Sequence, residues 1–217
     1  MSSTSARSAS RRYSSELRAK QAEATRDKVV SAAVSLFAER GYAATTMPEI
    51  ARRAGVSTET VQANGPKLAL LREAINLVSF GGTTDTDVRT TPFGQAMLGA
   101  RTPVEAAQLA AAVLTQVNGG GLGLWLALAE GARHDESLAA AFRTLTSDIR
   151  TQTGVMLDEW ASRGFLRDDL SREELLDRVV LIASVELYDR CVRVEGRSVD
   201  AYTRTLAGLL SDVLVRD

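Results

Sequence analysis

The sequence predicts an all-α protein of about nine helices, a small N-terminal helix-turn-helix domain followed by a larger helical domain. Three observations carry that prediction. Apolar residues recur at helical spacing, as in Val29, Val30, Ala33, Leu36 and Phe37. Helix-start chemistry occurs twice in nearly the same form, at Thr46-Met47-Pro48-Glu49 and at Thr102-Pro103-Val104-Glu105. The basic stretch from 43 to 71 reads as two short helices broken at Ala54-Gly55-Val56, the pattern of a candidate DNA binder.

Taken in order, residues 1–24 are Ser-rich, apolar-poor and basic (Arg7, Arg11, Arg12, Arg18, Lys20), which predicts a flexible arm. A first helix is expected from about Thr25 to Arg40, ending at Gly41 with Tyr42 folding back. Thr46 can then accept a hydrogen bond from a free amide of the second helix while Glu49 returns one, and Pro48 sits where a missing N–H costs nothing. Gly55 gives the tight turn its backbone freedom, Val56 plugs the space between helices, and Ser57 caps a third helix from Thr58 to about Asn64. Ile50, Ala51, Ala54 and Val61 face inward. Gly65-Pro66 closes that helix, and a fourth runs from Lys67 to Val78 with Leu68, Leu71 and Ile75 as its apolar stripe.

Residues 79–101 contain Gly81-Gly82, a Thr-rich run, Pro92 and Gly94, and read as a linker. A fifth helix is expected to Val117, stopped by Asn118-Gly119-Gly120-Gly121, then a sixth from Leu122 to about Arg133. A seventh follows from about Asp135 to Ala161. The last two are expected over Ser171–Glu195 and Ser198–Val215, and their apolar faces suit pairing with a copy of themselves or completion of the core. The domains are thus 1–24 (arm), 25–78 (helix-turn-helix), 79–101 (linker) and 102–217.

Composition narrows the function. With 217 residues and 45% hydrophobic residues, the chain can bury real cores. A single cysteine, Cys191, excludes an internal disulfide, a thiolate zinc site within one chain and a Cys-Cys redox pair. The best apolar run, Gly121 to Ala129, stops at Glu130, so no membrane span is expected, and the arginine-bearing N-terminus lacks the apolar stretch of a secretory signal; a cytoplasmic location is the expectation. Net charge is −1, yet residues 1–78 hold 12 Lys/Arg against 7 Asp/Glu and residues 79–217 hold 14 against 20. Only the first part suits a polyanion.

Thr46-Met47-Pro48-Glu49-Ile50-Ala51, then Ala54-Gly55-Val56-Ser57, then Thr60 and Lys67-Leu68-Ala69-Leu70-Leu71 resemble the DNA-binding domain of the TetR (tetracycline repressor) family. The resemblance is close over about 25–78 and looser beyond, where Ser184-Val-Glu-Leu-Tyr-Asp-Arg, Glu195-Gly196-Arg197-Ser198 and Tyr202 are similar to some actinobacterial-type members. It implies an all-helical homodimer, paired here through the last two helices. The N-terminal domain would bind a palindromic double-stranded DNA operator, and the C-terminal domain would dimerise and hold a small-molecule effector of unknown identity. No cofactor, metal or catalytic residue is implied.

Helix geometry puts Thr58, Glu59 and Gln62 opposite the buried Val61, as candidates for base contact. By resemblance Thr60 and Lys67 are candidates for phosphate contact, and Thr46, a hydroxyl at a helix start, is a third. The chain departs from the family where an aromatic Tyr, then His-Phe and a two-residue gap usually precede the lysine. Gln62, Asn64, Gly65 and a single Pro66 stand there, so operator preference does not transfer.

An effector pocket should be apolar with few polar groups, and the large residues available are Trp125, Phe142, Met156, Trp160 and Tyr188. Each also suits plain core. Two rivals remain. An enzyme would need more than His134 beside Glu130, Asp135 and Glu136, a pairing common on solvated surfaces, and Gly119-Gly120-Gly121 lacks the strand and Lys-Ser/Thr ending of a phosphate loop. A helical interaction protein that kept the fold and no longer binds DNA is the alternative that Gln62 and Asn64 permit.

Overall fold

The computed structural model describes residues 3–80 and 87–215, with side chains over 17–78 and 87–215. Gly81-Gly82 and the threonines after them lie outside the described residues, as do the side chains of Arg7, Arg11 and Arg12. The chain divides into two compact units, Met1–Ala74 and Ile75–Asp217.

In the first unit, α1 spans Ser3–Ala44 and is interrupted at Gly41, whose φ of 79° and ψ of 170° leave the helical region. The stretch expected as an arm is therefore helical from Ser3. Its described residues from Leu17 to Lys28 are almost all exposed, so burial does not hold it. Local propensity does, through Ala19, Gln21, Ala22, Glu23 and Ala24. Further on, Val29, Val30, Ala33, Leu36 and Phe37 turn one buried face to the unit, and Tyr42 folds back with its ring 5.7 Å from that of Phe37.

Helices α2 (Met47–Ala54) and α3 (Thr58–Ala63) are separated by Gly55 at φ 69°, the left-handed conformation that favours glycine. Ile50, Ala51 and Val61 are buried, while Ala54 is half-buried. The Ser57 hydroxyl accepts from the Thr60 amide at 3.2 Å, the cap its position implies. At α2 the start differs in one respect from expectation. Glu49 accepts from the Thr46 amide at 2.9 Å, but the Thr46 hydroxyl donates to the same carboxylate oxygen at 2.8 Å. A hydroxyl beside an ionised carboxylate gains more as a charge-assisted donor than as an acceptor for an amide. Helix α4 (Lys67–Phe80) opens after Gly65, at φ 118°, and Pro66.

In the second unit the described part of the expected linker from residue 87 on folds: a 3-10 turn over Val88–Thr90 and α5 over Pro92–Leu98. Thr91 starts α5, its hydroxyl accepting from the Gly94 amide, and Val88 and Met97 bury themselves in the unit's core. α6 spans Pro103–Gly131 as one helix, where two were expected with Asn118-Gly119-Gly120-Gly121 between them. Those glycines serve packing. A Cβ on Gly119 would stand 2.8 Å from the Tyr188 hydroxyl oxygen, and one on Gly120 would lie 3.4 Å from Val78 Cγ1, so neighbours approach the bare backbone here.

By length and composition alone α6 could cross a membrane, contrary to expectation. Its Ala106, Ala107, Ala110 and Ala111 are buried in the core that also contains Tyr202, Leu206 and Leu210 of α10 (Val199–Leu214). Between them in sequence lie α7 (Glu136–Ser162, capped by Asp135) and α8 (Arg172–Ile182).

The helix expected from Ser171 to Glu195 is broken after Ile182. Ser184 caps a new short helix, α9 (Val185–Tyr188), by accepting from the Leu187 amide, and the chain continues as a π-turn over Asp189–Val194. That break leaves the Ala183 carbonyl without a helical partner. The buried Asn118 of α6 supplies one, its Nδ2 donating to Ala183 O at 3.0 Å.

Candidate nucleic-acid interface and ligand cavity

The turn between α2 and α3 presents α3 as a short rod whose inner face is anchored by Val61, with none of its side chain exposed. Glu59 and Gln62 are exposed and Thr58 is half-buried, so the three candidates for base contact differ in reach. The Glu59 carboxyl is held below the ordinary glutamate value, first by its own amide and then by the Ser57 hydroxyl. It stays an acceptor.

The candidates for phosphate contact are placed differently from one another. Thr46 is exposed with its hydroxyl committed to Glu49, and Thr60 is half-buried with its hydroxyl 3.1 Å from that of Ser57. Lys67 donates from Nζ to Thr45 O at 2.7 Å and sits 4.2 Å from the centroid of the Tyr42 ring. Burial pushes its ammonium below the ordinary lysine value, and the Glu49 carboxylate partly opposes that. Lys67 therefore ties the start of α4 to the end of α1, with N–H groups to spare for an anion. Thr45, fully buried, completes the tie by donating to Gly41 O at 2.8 Å. Arg53 is engaged with Glu39 and Arg40 with Glu49, leaving Arg52 as a further exposed cation in the last turn of α2. The sequence reading passed over Arg52, although an arginine one turn before a helix-turn-helix glycine was the signal.

The second unit contains a cavity of about 320 Å³. Trp125, Phe142, Met156 and Trp160 are in its wall; Tyr188 is not, a correction to its place among the pocket candidates. Tyr188 instead packs edge-on against Tyr202, ring centroids 5.1 Å apart, over the bare backbone of Gly119. Size alone did not separate an aromatic that lines a void from one that fills a seam.

Polar residues in the wall that the sequence did not single out for a pocket are Asn118, Thr146, Gln152, Thr153, Ser184 and Glu186. Gln152 Oε1 accepts from the Val88 amide at 2.9 Å, closing the 3-10 turn onto α7. Glu186 Oε1 accepts from Trp125 Nε1 at 2.9 Å, and Trp125 leans on Phe142 with centroids 4.9 Å apart at 57°. The signal for Glu186 was Ser184, a helix-capping residue inside an apolar run.

Among the described residues no group of three or more His, Cys, Asp and Glu is placed to hold a metal. His134 lies 3.8 Å from Glu130 with both side chains mostly exposed, and the three glycines lie mid-helix.

Residues 29–62 match the family described as bacterial regulatory proteins, tetR family. No curated protein matches the chain. Among solved structures, the chain is similar to a TetR-family transcriptional regulator from Rhodococcus sp. (TM-score 0.70, 17% identity, 88% of this chain and 98% of that one). It is also similar to a transcriptional regulator from Saccharomonospora viridis in complex with choline (TM-score 0.65, 16% identity, 90% and 100%). A third is FadR from Bacillus subtilis in complex with stearoyl-CoA (TM-score 0.64, 17% identity, 87% and 98%). At these identities the likeness establishes the fold.

Proposed function

We propose that this protein is a cytoplasmic transcriptional repressor of the TetR family that binds a palindromic operator as a homodimer and leaves it when a small apolar or amphipathic molecule fills the second unit's cavity. The observation that carries the reading is the separation of the two chemistries. An α3 with Glu59 and Gln62 exposed belongs to a unit holding 12 Lys/Arg against 7 Asp/Glu, and an apolar cavity belongs to the other.

In this reading α3 enters a major groove. Gln62 pairs with an adenine edge, Glu59 accepts from a cytosine amino group and Thr58 contacts a base from the first turn. Thr46, Thr60 and Lys67 fix the register on phosphates without reading sequence. Two-fold half-sites need the two α3 helices about 34–36 Å apart, so a small displacement costs affinity. Helix α4 carries Lys67 at one end and Ile75, a residue of the cavity wall, two turns later, and so offers the element through which ligand acts. The ligand works only by preferring one state, with coupling of about 1–3 kcal/mol.

Homodimerisation through the last helices is supported by large apolar side chains left in solvent: Leu181 at 72% exposure on α8, Val194 after it, and Val199 and Leu209 on α10. Choline and stearoyl-CoA, in proteins of the same fold, differ in charge and size, so fold does not choose the ligand.

Selection of bound fragments from the protein's own genome, followed by sequencing, tests the reading. An inverted repeat with half-sites one helical turn apart is the expected result. Recovery of fragments with no shared sequence would point instead to a helical interaction protein that uses this fold without DNA.

A further inference from the structure

We propose that the cavity selects a lipophilic cation, held by the Glu186 carboxylate against the aromatic faces of Trp125 and Phe142. This rests on the reading of the cavity as the effector site and adds the charge of the effector to it.

The wall is overwhelmingly apolar, and among its described residues Glu186 is the one that carries charge; no lysine, arginine or histidine lines it. A ligand with a carboxylate, sulfate or phosphate would leave water for a space with no cation to receive it and a carboxylate to repel it. A neutral apolar ligand would fit the hydrocarbon wall but would cover the carboxylate without compensating it. A cation with an apolar body satisfies both parts.

The carboxylate is also aimed. Trp125 Nε1 donates to its Oε1 at 2.9 Å, which orients the group while leaving Oε2 with no hydrogen bond or ion pair among the described residues. Glu186 is exposed as well as lining the cavity, which sets it where the cavity opens. The neighbouring rings add the second attraction. Trp125 and Phe142, 4.9 Å apart and tilted by 57°, offer electron-rich faces on which an ammonium or phosphonium is stabilised beyond its hydrophobic contact.

Tetraphenylphosphonium and tetraphenylborate, two ions of matched shape and opposite charge, make the test. Each is titrated calorimetrically into the purified full chain. The cation should bind, and bind at least tenfold more tightly than the anion. Glu186→Gln keeps an acceptor for Trp125 Nε1 and removes the charge, so it should weaken the cation roughly tenfold, which is about 1.4 kcal/mol, and leave the far-ultraviolet circular dichroism unchanged. Glu186→Lys, at the same exposed position, should invert the preference. Equal binding of the two ions by the wild type, or no loss of cation affinity in Glu186→Gln, would overturn the choice of charge while leaving an effector cavity in place. Failure of both ions to bind would overturn the cavity as a site along with it.

Discussion

Two helical glycines with opposite surroundings allow the packing of α6 to be tested directly. Gly119 in α6 faces the Tyr188 phenol, 2.8 Å from where its Cβ would be, whereas Gly208 in α10 has nothing within 4 Å of its own. Alanine at either position should gain about 0.5–1 kcal/mol, because glycine loses more backbone entropy in a helix. Within one chain nothing at Gly208 opposes that gain.

At Gly119 the methyl must displace a buried ring, and forcing extra volume into a packed seam costs about 1–3 kcal/mol. Gly119→Ala should therefore be less stable than Gly208→Ala by about 1–3 kcal/mol, with the wild type between them. Both tryptophans lie in the second unit, so urea unfolding followed by tryptophan fluorescence reports the relevant transition. Tyr188→Phe removes the hydroxyl and leaves the ring carbon Cζ at 3.3 Å as the nearest neighbour, so in that background Gly119→Ala should lose much of its penalty. If Gly119→Ala stabilised the protein as much as Gly208→Ala, the glycine run would not be a packing seam.

Three other outcomes follow from the structure. Asn118→Ala should cost about 1–3 kcal/mol in the same urea experiment, because it strands the Ala183 carbonyl at the α8–α9 break; no change would mean that another donor serves it. Glu49 is held below the usual glutamate value of 4.5, first by the Thr46 hydroxyl and then by the Thr46 amide. Its contribution to stability is then full above pH 4.5 and is lost as pH falls through the lowered folded value, so melting between pH 6 and 3 should be steeper for the wild type than for Glu49→Gln. Leu181→Asp should shift sedimentation from dimer towards monomer, since it charges a side chain that is 72% exposed on α8, and an unchanged dimer would exclude that face from the interface.

The helix-turn-helix was legible because its determinants are local. Gly55 at φ 69° and the Ser57 cap each act within a few residues, and a sequence window contains all the atoms involved. The second unit was legible only as helical. Gly119-Gly120-Gly121 reads as a stop within any window, and what makes it helix interior is Tyr188, far along the chain. The break at Ala183-Ser184 lay hidden in an apolar run, since its completion by Asn118 is likewise long-range. The 79–101 segment read as linker because of Gly81-Gly82, its threonines, Pro92 and Gly94, yet Thr91-Pro92 starts a helix there and Val88 and Met97 find a core.

For the cavity the sequence offered large residues, of which Trp125, Phe142, Met156 and Trp160 stand in its wall and Tyr188 does not. The charge that decides its chemistry, at Glu186, was visible only once α9 brought it beside Trp125.

The most direct test of the account is the affinity of the recovered duplex for the wild type and for Gln62→Ala, measured by fluorescence anisotropy over a range of salt. The account predicts that wild-type affinity falls steeply with salt, and that Gln62→Ala loses about 1–3 kcal/mol on the specific duplex and nothing on a scrambled one. Equal binding of both duplexes by the wild type, unaltered in Gln62→Ala, would contradict it.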